Sequence, residues 1–299
     1  MRSIALVTDS ASSLPAECLQ ALEAAGGFAL IDLPVRVADQ PLAALPGRQV
    51  DEAIAMAHVQ GQQVSTSGAA PGALADLYQG LADQGFSAVL SVHMSAALSG
   101  TYDAARLAAG MVSIPVAVVD SQTLALALGE VLLQLHRILE SLEDLTEAAD
   151  LARRLSSAAD LFFFIPTLDA LKRGGRVHPA LAMVGQMFQI RPVASIAEGR
   201  LTYLERPRTT GRAIERLRDI TLQTAAAHRA AGWGAWGLEG LMDSAPAGQV
   251  VAVQYSGNLE QALDFKASLG PAAAGARVCP LPPVLSAHAG LGALATVVL

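Results

Sequence analysis

In the first half of the chain, short runs of apolar residues alternate with segments of helical spacing. The apolar runs are rich in residues that favour strands, and they cover residues 4–7, 28–37, 88–92 and 116–119. The helical segments between and after them cover residues 15–25, 51–60, 71–83, 101–111, 123–139 and 142–155. Strands that alternate with helices predict a parallel sheet with helical crossovers, in a Rossmann-like α/β domain.

The second half of the chain has a different pattern. Two extended segments, 190–196 and 201–205, are separated by Ala-Glu-Gly-Arg, which is typical of a hairpin turn. A long helix is predicted over residues 210–228 and a shorter one over 259–269. Further strands are expected at 236–238, 250–255, near 278 and at 294–298. We therefore expect two domains, an N-terminal α/β domain over residues 1–158 and a C-terminal mixed α+β domain over residues 159–299.

Charge and composition exclude several classes of protein. Only 16% of the 299 residues are charged, and the net charge is -7. An acidic chain with two lysines lacks the basic surface that nucleic acids require. The apolar stretch 278–299 is broken by prolines and glycines, so we expect strands and a loop there rather than a membrane segment. Cys18 and Cys279 lie far apart in the sequence and match no zinc or redox spacing, which favours a cytoplasmic protein.

Hydroxyl side chains follow the predicted strands, where ligands bind in open parallel sheets. Thr66 and Ser67 precede the helix that starts near Pro71, and Ser99 opens the next helix. A serine at a helix N-terminus can hold a carboxylate or a phosphate, but such a residue is also an ordinary N-cap. Spacing alone leaves both interpretations open.

His288 lies in an apolar segment with Gly290 and Gly292, which we interpret as a loop that backbone or ligand can approach closely. The histidines show no metal-ligand spacing, so no metal site is predicted. The Gly174-Gly175 pair follows basic residues, as at an ordinary helix C-terminus, but this leaves Arg176 unexplained. Nucleotide-binding and hydrolase signatures are absent, so no catalytic residue and no cofactor are predicted.

Several of these segments, taken in order, resemble one known family. The matching motifs are the opening Val-Thr-Asp-Ser, the pair Thr66-Ser67, Leu98-Ser-Gly-Thr-Tyr102, Val119-Asp-Ser121, Gly174-Gly-Arg176, Ile190-Arg-Pro192 and His288-Ala-Gly290. Each motif is weak by itself, but their order along nearly the whole chain is specific. By these motifs the chain is identified as a member of the DegV family.

This resemblance implies a two-domain α/β protein that is not itself an enzyme. It implies a long-chain fatty acid bound in an apolar tunnel between the domains and presented to a separate fatty acid kinase subunit. The carboxylate would be held by Thr66 and Ser99, near four other residues: Ser67, Gly100, Arg176 and His288. The resemblance also assigns kinase contact to Arg208, in the segment after the predicted hairpin.

The chain departs from the family pattern at three places, and other functions stay open. In the basic segment Arg206-Pro-Arg208-Thr-Thr-Gly-Arg212, the order typical of the family is eroded. Gly68-Ala69-Ala70 replaces the usual Gln-Pro-Ser, and Leu291 replaces a customary proline. One alternative is an acyl hydrolase that uses Ser99 and His288 with Asp9 or Asp120. Another is a lipid sensor that has no kinase partner.

Overall fold

The computed structural model describes residues 2–42, 47–142, 144–167, 171, 174–175, 190–232 and 251–299. The described residues form two compact units. The first contains residues up to 33 and residues 67–159, and the second contains residues 34–66, 160–232 and the described residues from 251 onward. Residues 34–66 thus belong to the second unit, although they lie in the N-terminal half of the chain. The domain boundary expected between residues 158 and 159 stays a prediction.

The helices and strands are numbered in chain order. The strands are β1 Arg2–Asp9, β2 Phe28–Ile31, β3 Val35–Val37, β4 Gln40–Pro41, β5 Val64–Thr66, β6 Phe86–His93, β7 Val116–Asp120, β8 Asp160–Phe164, β9 Val193–Ala197, β10 Arg200–Glu205, β11 Val251–Tyr255, β12 Arg277–Pro280 and β13 Leu294–Val298. The α-helices are α1 Ala16–Ala25, α2 Gly47–Val59, α3 Pro71–Asp83, α4 Thr101–Ala109, α5 Ala125–Leu139, α6 Leu145–Ala158, α7 Thr210–Ala231, α8 Leu259–Ser268 and α9 Pro283–Ala289. Two short 3-10 helices cover Ser10–Ser12 and Gly270–Ala273.

The first unit contains a four-stranded parallel sheet in the order β2-β1-β6-β7. Every described side chain of β6 except that of Ser87 is buried, as expected for a strand covered by helices on both faces. The direction of strand order reverses between β1 and β6. Such a switch point is where parallel α/β sheets place their ligand crevice, at the carboxyl ends of the strands.

One predicted strand is divided in the structure. The apolar run over residues 28–37 was expected to be continuous, but it forms β2 in the first unit and β3 in the second. Pro34 lies at the break, and a proline cannot donate a ladder hydrogen bond. β3 pairs with β4 and β5 in a small antiparallel sheet that the sequence analysis missed.

The main sheet of the second unit has six strands in the order β10-β9-β8-β13-β11-β12. Only the pair β11 and β12 is parallel within this sheet. The predicted hairpin is confirmed between β9 and β10, with positive φ at Glu198 and Gly199, as in a type I′ turn. The predicted α/β class, with a parallel sheet followed by a mixed sheet, is confirmed.

The segment around His288 was predicted to be a loop, and this was wrong. Residues Pro283–Ala289 form the short helix α9, with Pro283 in the first turn and Gly290 at φ 75° after the last residue. Proline suits the first helical position because its N–H is not needed there, and glycine ends helices by adopting positive φ. The strand expected at 236–238 lies outside the described residues. Among the described helices, none combines the length and the hydropathy that a bilayer crossing requires.

Candidate functional site

Ser99 lies in the turn that connects β6 to α4. The helix begins at Thr101, where the sequence pattern predicted its start, but Gly100 and not Ser99 takes the N-cap position, without a side-chain hydrogen bond. Ser99 Oγ accepts a hydrogen bond from the Thr101 N–H at 3.3 Å and lies 2.9 Å from Thr101 Oγ1. Ser99 is half-buried and Gly100 is exposed.

The hydroxyl of Ser99 is able to donate to a ligand. Thr101 Oγ1 accepts the Ala69 N–H at 3.3 Å and can donate its own proton to Ser99 Oγ. In that arrangement the Ser99 proton has no acceptor among the described residues. The first N–H groups of α4 also lack intrahelical acceptors, and the helix dipole favours negative charge near them. This turn therefore fits a carboxylate or a phosphate oxygen.

The loop from Ser67 to Ala70 packs against the same helix start. A Cβ atom at Gly68 would lie 3.2 Å from the Thr101 backbone nitrogen and 3.4 Å from the Gly100 carbonyl carbon. Ser67 is exposed at the beginning of this loop. The first unit therefore brings the loop that carries Ser67 next to the turn that carries Ser99 and Gly100.

Thr66 and His288 meet in the second unit. Thr66 ends β5, where its backbone pairs with Val35, and His288 lies in the last turn of α9. Thr66 Oγ1 is 2.8 Å from His288 Nε2, and both residues are half-buried. When the imidazole donates from Nε2, the threonine proton is left to donate elsewhere. The chain passes from the second unit to the first between Thr66 and Ser67.

A second histidine fixes α9, and the sequence analysis missed it. His58, near the end of α2, places Nε2 3.2 Å from the carbonyl oxygen of Ser286 on α9. Thus α9 is tied to α2 by one imidazole and to β5 by the other. The two contacts join residues 228 and 222 positions apart, which no local sequence pattern encodes.

Of the two candidate arginines, Arg176 and Arg208, the structure describes only Arg208. Arg176 lies outside the described residues, although the glycine pair before it is described. Arg208 is exposed and immediately precedes Thr209, the N-cap of α7. The backbone next to it is fixed, because the Arg191 N–H donates to the Pro207 carbonyl at 2.6 Å.

Comparison with known proteins decides the family. A family model described as an uncharacterised protein of the DegV family matches residues 3–299. The chain belongs to the DegV family. A DegV domain-containing protein of Streptomyces coelicolor is 34% identical to it over 225 residues, which cover 75% of this chain and 78% of the relative. One of Mycobacterium tuberculosis is 30% identical over 296 residues, covering 98% and 95%.

Solved structures of the family share this fold. A DegV-family protein of Thermus thermophilus, reported as fatty acid binding, is 28% identical, covers 100% of this chain and 99% of its own, and has a TM-score of 0.77. A DegV-family protein of Streptococcus agalactiae, also reported as fatty acid binding, has a TM-score of 0.82 at 20% identity and covers 100% and 99%. The identity of the second protein is low, so it supports the fold alone.

Two of the departures from the DegV pattern, those at Gly68 and Leu291, have local structural accounts. At Gly68 the lack of a side chain lets the loop backbone lie directly on Gly100 and Thr101. Leu291 is 36% exposed, and a Cβ atom on Gly257 would lie 2.8 Å from its Cδ2 atom. Glycine at 257, with φ +80°, therefore leaves room for the leucine side chain.

The hydrogen bonds of this DegV-family chain do not assemble the alternative hydrolase set. Among the described residues, Ser99 Oγ bonds to Thr101 rather than to a histidine. Asp9 bonds to His93 and to backbone N–H groups, and Asp120 bonds to the N–H groups of Ala96 and Gln122. These carboxylates hold loops in place. Within the described part of the chain, no group of three or more His, Cys, Asp or Glu side chains is arranged to hold a metal ion.

Proposed function

We propose that this protein binds a long-chain fatty acid. The carboxylate accepts hydrogen bonds from the hydroxyls of Ser99 and Thr66, while the acyl chain lies in an apolar tunnel. Six residues form the head-group set in this proposal: Thr66, Ser67, Ser99, Gly100, Arg176 and His288. The observation that carries the proposal is the Ser99 hydroxyl at a helix start, which accepts the Thr101 N–H and, when Thr101 Oγ1 donates to it, keeps its own proton for a ligand.

The kinship with the Thermus thermophilus protein supports this ligand class, because that relative is reported to bind fatty acid and matches the full length of this chain. The carboxylate and the acyl chain of such a ligand contribute to the binding free energy in different ways. Hydrogen bonds from neutral groups to a charged partner contribute about 1.5–3 kcal/mol. Each buried methylene contributes about 0.8 kcal/mol, so a long acyl chain supplies most of the affinity while the head group orients it.

The first test is retention of a ligand. Mass spectrometry of freshly purified, denatured protein should release a fatty acid, and delipidated protein should bind oleate in solution. Loss of the Ser99 hydroxyl in Ser99→Ala, or of the Thr66 hydroxyl in Thr66→Val, should weaken oleate binding by about tenfold or more. A protein that releases no lipid and binds neither oleate nor palmitate contradicts the proposal.

Matched controls separate the head-group hydroxyls from hydroxyls in general. Ser157 is exposed on α6 and bonds to the carbonyl of Arg154, so Ser157→Ala should leave oleate affinity unchanged. Thr202 is exposed on β10, so Thr202→Val is the control for Thr66→Val. Equal weakening by a variant and its control points to a general loss of structure instead of a lost head-group contact.

We propose further that the protein is a non-enzymatic carrier subunit in the cytoplasm, which presents its fatty acid to an ATP-dependent kinase. Cys18 and Cys279 are thiols, as expected in a reducing compartment. Arg208 is the proposed contact for the kinase, because it is exposed next to a backbone segment that is held by Arg191.

Acyl-phosphate formation tests the carrier role. With a fatty acid kinase subunit and ATP, Arg208→Glu should lower the rate of acyl-phosphate formation without changing oleate affinity. Arg200→Glu makes the same charge change at another exposed position of the second unit and serves as the control. Wild-type protein that binds oleate but supports no acyl phosphate with any kinase subunit tested favours a lipid sensor.

A further inference from the structure

Four buried side chains form a continuous hydrogen-bonded chain in the first unit. The hydroxyl of Tyr78 on α3 lies 2.7 Å from Ser91 Oγ on β6. Ser91 Oγ lies 2.8 Å from Nε2 of His93, and Nδ1 of His93 lies 2.9 Å from Oδ2 of Asp9 on β1. All four residues have zero exposed surface. The chain therefore links α3, β6 and β1 through side chains alone.

In this series of hydrogen bonds, each group donates its proton toward Asp9. Both oxygens of Asp9 accept backbone N–H groups, so His93 carries its hydrogen on Nδ1 and, when neutral, accepts from Ser91 at Nε2. Ser91 in turn accepts from Tyr78, and burial raises the pKa of Tyr78 to about 12, so the phenol keeps its proton. In this arrangement every donor has an acceptor. With a charged His93, the Tyr78 proton would have none among the described residues.

Ser91, His93 and Asp9 have the spacing of a nucleophile, a base and a group that orients the base. They are nevertheless not a catalytic set. Ser91 has no exposed surface, lies within β6 and is already bonded to Tyr78. A nucleophile needs room for a reacting atom about 3 Å away, and substrate cannot reach this hydroxyl.

Asp9, at one end of this hydrogen-bonded series, bonds to the beginning of the turn that carries Ser99. Three successive backbone N–H groups there bond to other segments: Met94 to Asp9 Oδ2 at 3.1 Å, Ser95 to the Thr123 carbonyl at 2.9 Å and Ala96 to Asp120 Oδ1 at 3.1 Å. The Thr123 carbonyl also accepts from the buried Ser121 hydroxyl at 3.2 Å, whereas Asp9 is held by the series of four buried side chains. Asp9 also lies at the switch point between β1 and β6, where the ligand crevice of such a sheet opens.

We propose that His93 and Asp9 are positioning residues, which set the turn from Met94 to Gly100 and so the direction of the Ser99 hydroxyl. The role of this turn as an anion site rests on the proposed function. His93 fixes the Asp9 carboxylate by donating from Nδ1, and the carboxylate fixes the Met94 N–H. Ser91 and Tyr78 hold the imidazole from its other side.

Two conservative variants separate the two ends of the imidazole. In His93→Asn the side-chain amide can replace the Nδ1 donor, and in His93→Gln it reaches the position of Nε2 but leaves Asp9 without its side-chain donor. Amide hydrogen exchange of the full chain should show faster exchange at Met94 to Ser99 in His93→Gln, with near-normal exchange there in His93→Asn. Ser156→Ala is the control for a buried change, because Ser156 is 6% exposed and its Oγ has no hydrogen-bond partner among the described residues.

Oleate binding adds a second readout, in which His93→Gln weakens affinity about tenfold and His93→Asn stays within about threefold of wild type. The inference is overturned if His93→Gln leaves exchange of the turn unchanged, if both variants behave alike, or if exchange rises equally throughout the first unit. If the wild type binds no oleate, the proposed function fails, and the exchange comparison still decides the positioning role.

Discussion

The Thr66 hydroxyl lies 2.8 Å from Nε2 of His288, although the two residues are 222 positions apart in the chain. Thr66 ends an edge strand of the small sheet, and His288 lies in a helix of seven residues. The contact orients a hydroxyl whose only described side-chain partner is the imidazole. Under the proposed function, this pair directs the Thr66 hydroxyl toward the carboxylate.

Replacement of His288 by alanine should weaken oleate binding by about tenfold, because Thr66 loses the group that orients its hydroxyl. Calorimetric titration of delipidated protein with oleate measures the change. A double variant with Thr66→Val should bind no more weakly than Thr66→Val alone, since the two residues act through one contact. Additive losses contradict that coupling and assign His288 an independent contact with the ligand.

Gly68→Ala should weaken oleate binding and leave the fold intact. Its Cβ would lie 3.2 Å from the Thr101 backbone nitrogen, so the loop or the start of α4 must shift by a few tenths of an ångström. Gly72→Ala, four residues later, is a matched control because a Cβ there meets nothing within 4 Å. Titration with oleate checks both variants, and equal affinities for them show that the fit of Gly68 is unimportant.

Two glycine-to-alanine changes within helices should have opposite effects on the free energy of unfolding. A Cβ at Gly129 of α5 would lie 2.5 Å from the Ser12 carbonyl oxygen, so Gly129→Ala should destabilise the protein by about 1–3 kcal/mol. A Cβ at Gly80 of α3 meets nothing within 4 Å, so Gly80→Ala should stabilise by about 0.5–1 kcal/mol. Urea unfolding measures both, and stabilisation by Gly129→Ala contradicts the close approach.

Thr221 and Thr296 should show strong coupling in a double-mutant cycle. Their hydroxyl oxygens lie 2.8 Å apart between α7 and β13, and neither residue is exposed. Thr221→Val should cost about 1–3 kcal/mol of the free energy of unfolding, because it leaves a buried hydroxyl without that partner. Adding Thr296→Val should cost little more. Additive costs in urea unfolding contradict a shared hydrogen bond.

Glu205 should contribute a stability that is lost in acid. Arg216 donates from Nε to both carboxylate oxygens of Glu205 and from Nη2 to Oε1, and these hydrogen bonds lower the pKa of Glu205 below its usual range. A carboxyl whose pKa is lower in the folded state stabilises the protein above its unfolded pKa, about 4.3, and this stabilisation is lost as the pH falls through the folded pKa. In urea unfolding across pH, Glu205→Gln should reduce stability at pH 7 and show a shallower loss in acid. Asp150→Asn disrupts a more exposed ion pair and is the control. Equal slopes for wild type and Glu205→Gln contradict this role.

The α/β class could be predicted from the sequence because apolar periodicity reports burial directly. The runs that became β1 and β6 are apolar on both faces and are buried, as expected for strands of a parallel sheet that helices cover on both sides. The hairpin between β9 and β10 could be predicted for a related reason. Its turn needs positive φ at two central residues, and Glu198-Gly199 supplies a glycine at one of them.

The candidate site was only partly predictable. Thr66, Ser67 and Ser99 are identified by motifs because each lies beside a helix start or a strand end, which are local features. His58 and the helical state of His288 were missed, since α9 has only seven residues and is held by contacts with α2 and β5. A helix this short is marginal by itself, so tertiary contacts and not propensity decide whether it forms.

The sequence by itself determined the α/β class, most of the strands and helices, and the family, and it nominated the hydroxyl side chains of the proposed site. Only the tertiary structure decided how those donors are oriented, because orientation depends on partners far away in the chain. Thr66 contacts His288, Ser99 contacts Thr101, and Asp9 contacts His93 and accepts the Met94 N–H. Local periodicity carries information about burial, whereas hydrogen-bond direction is set only once distant segments have packed together.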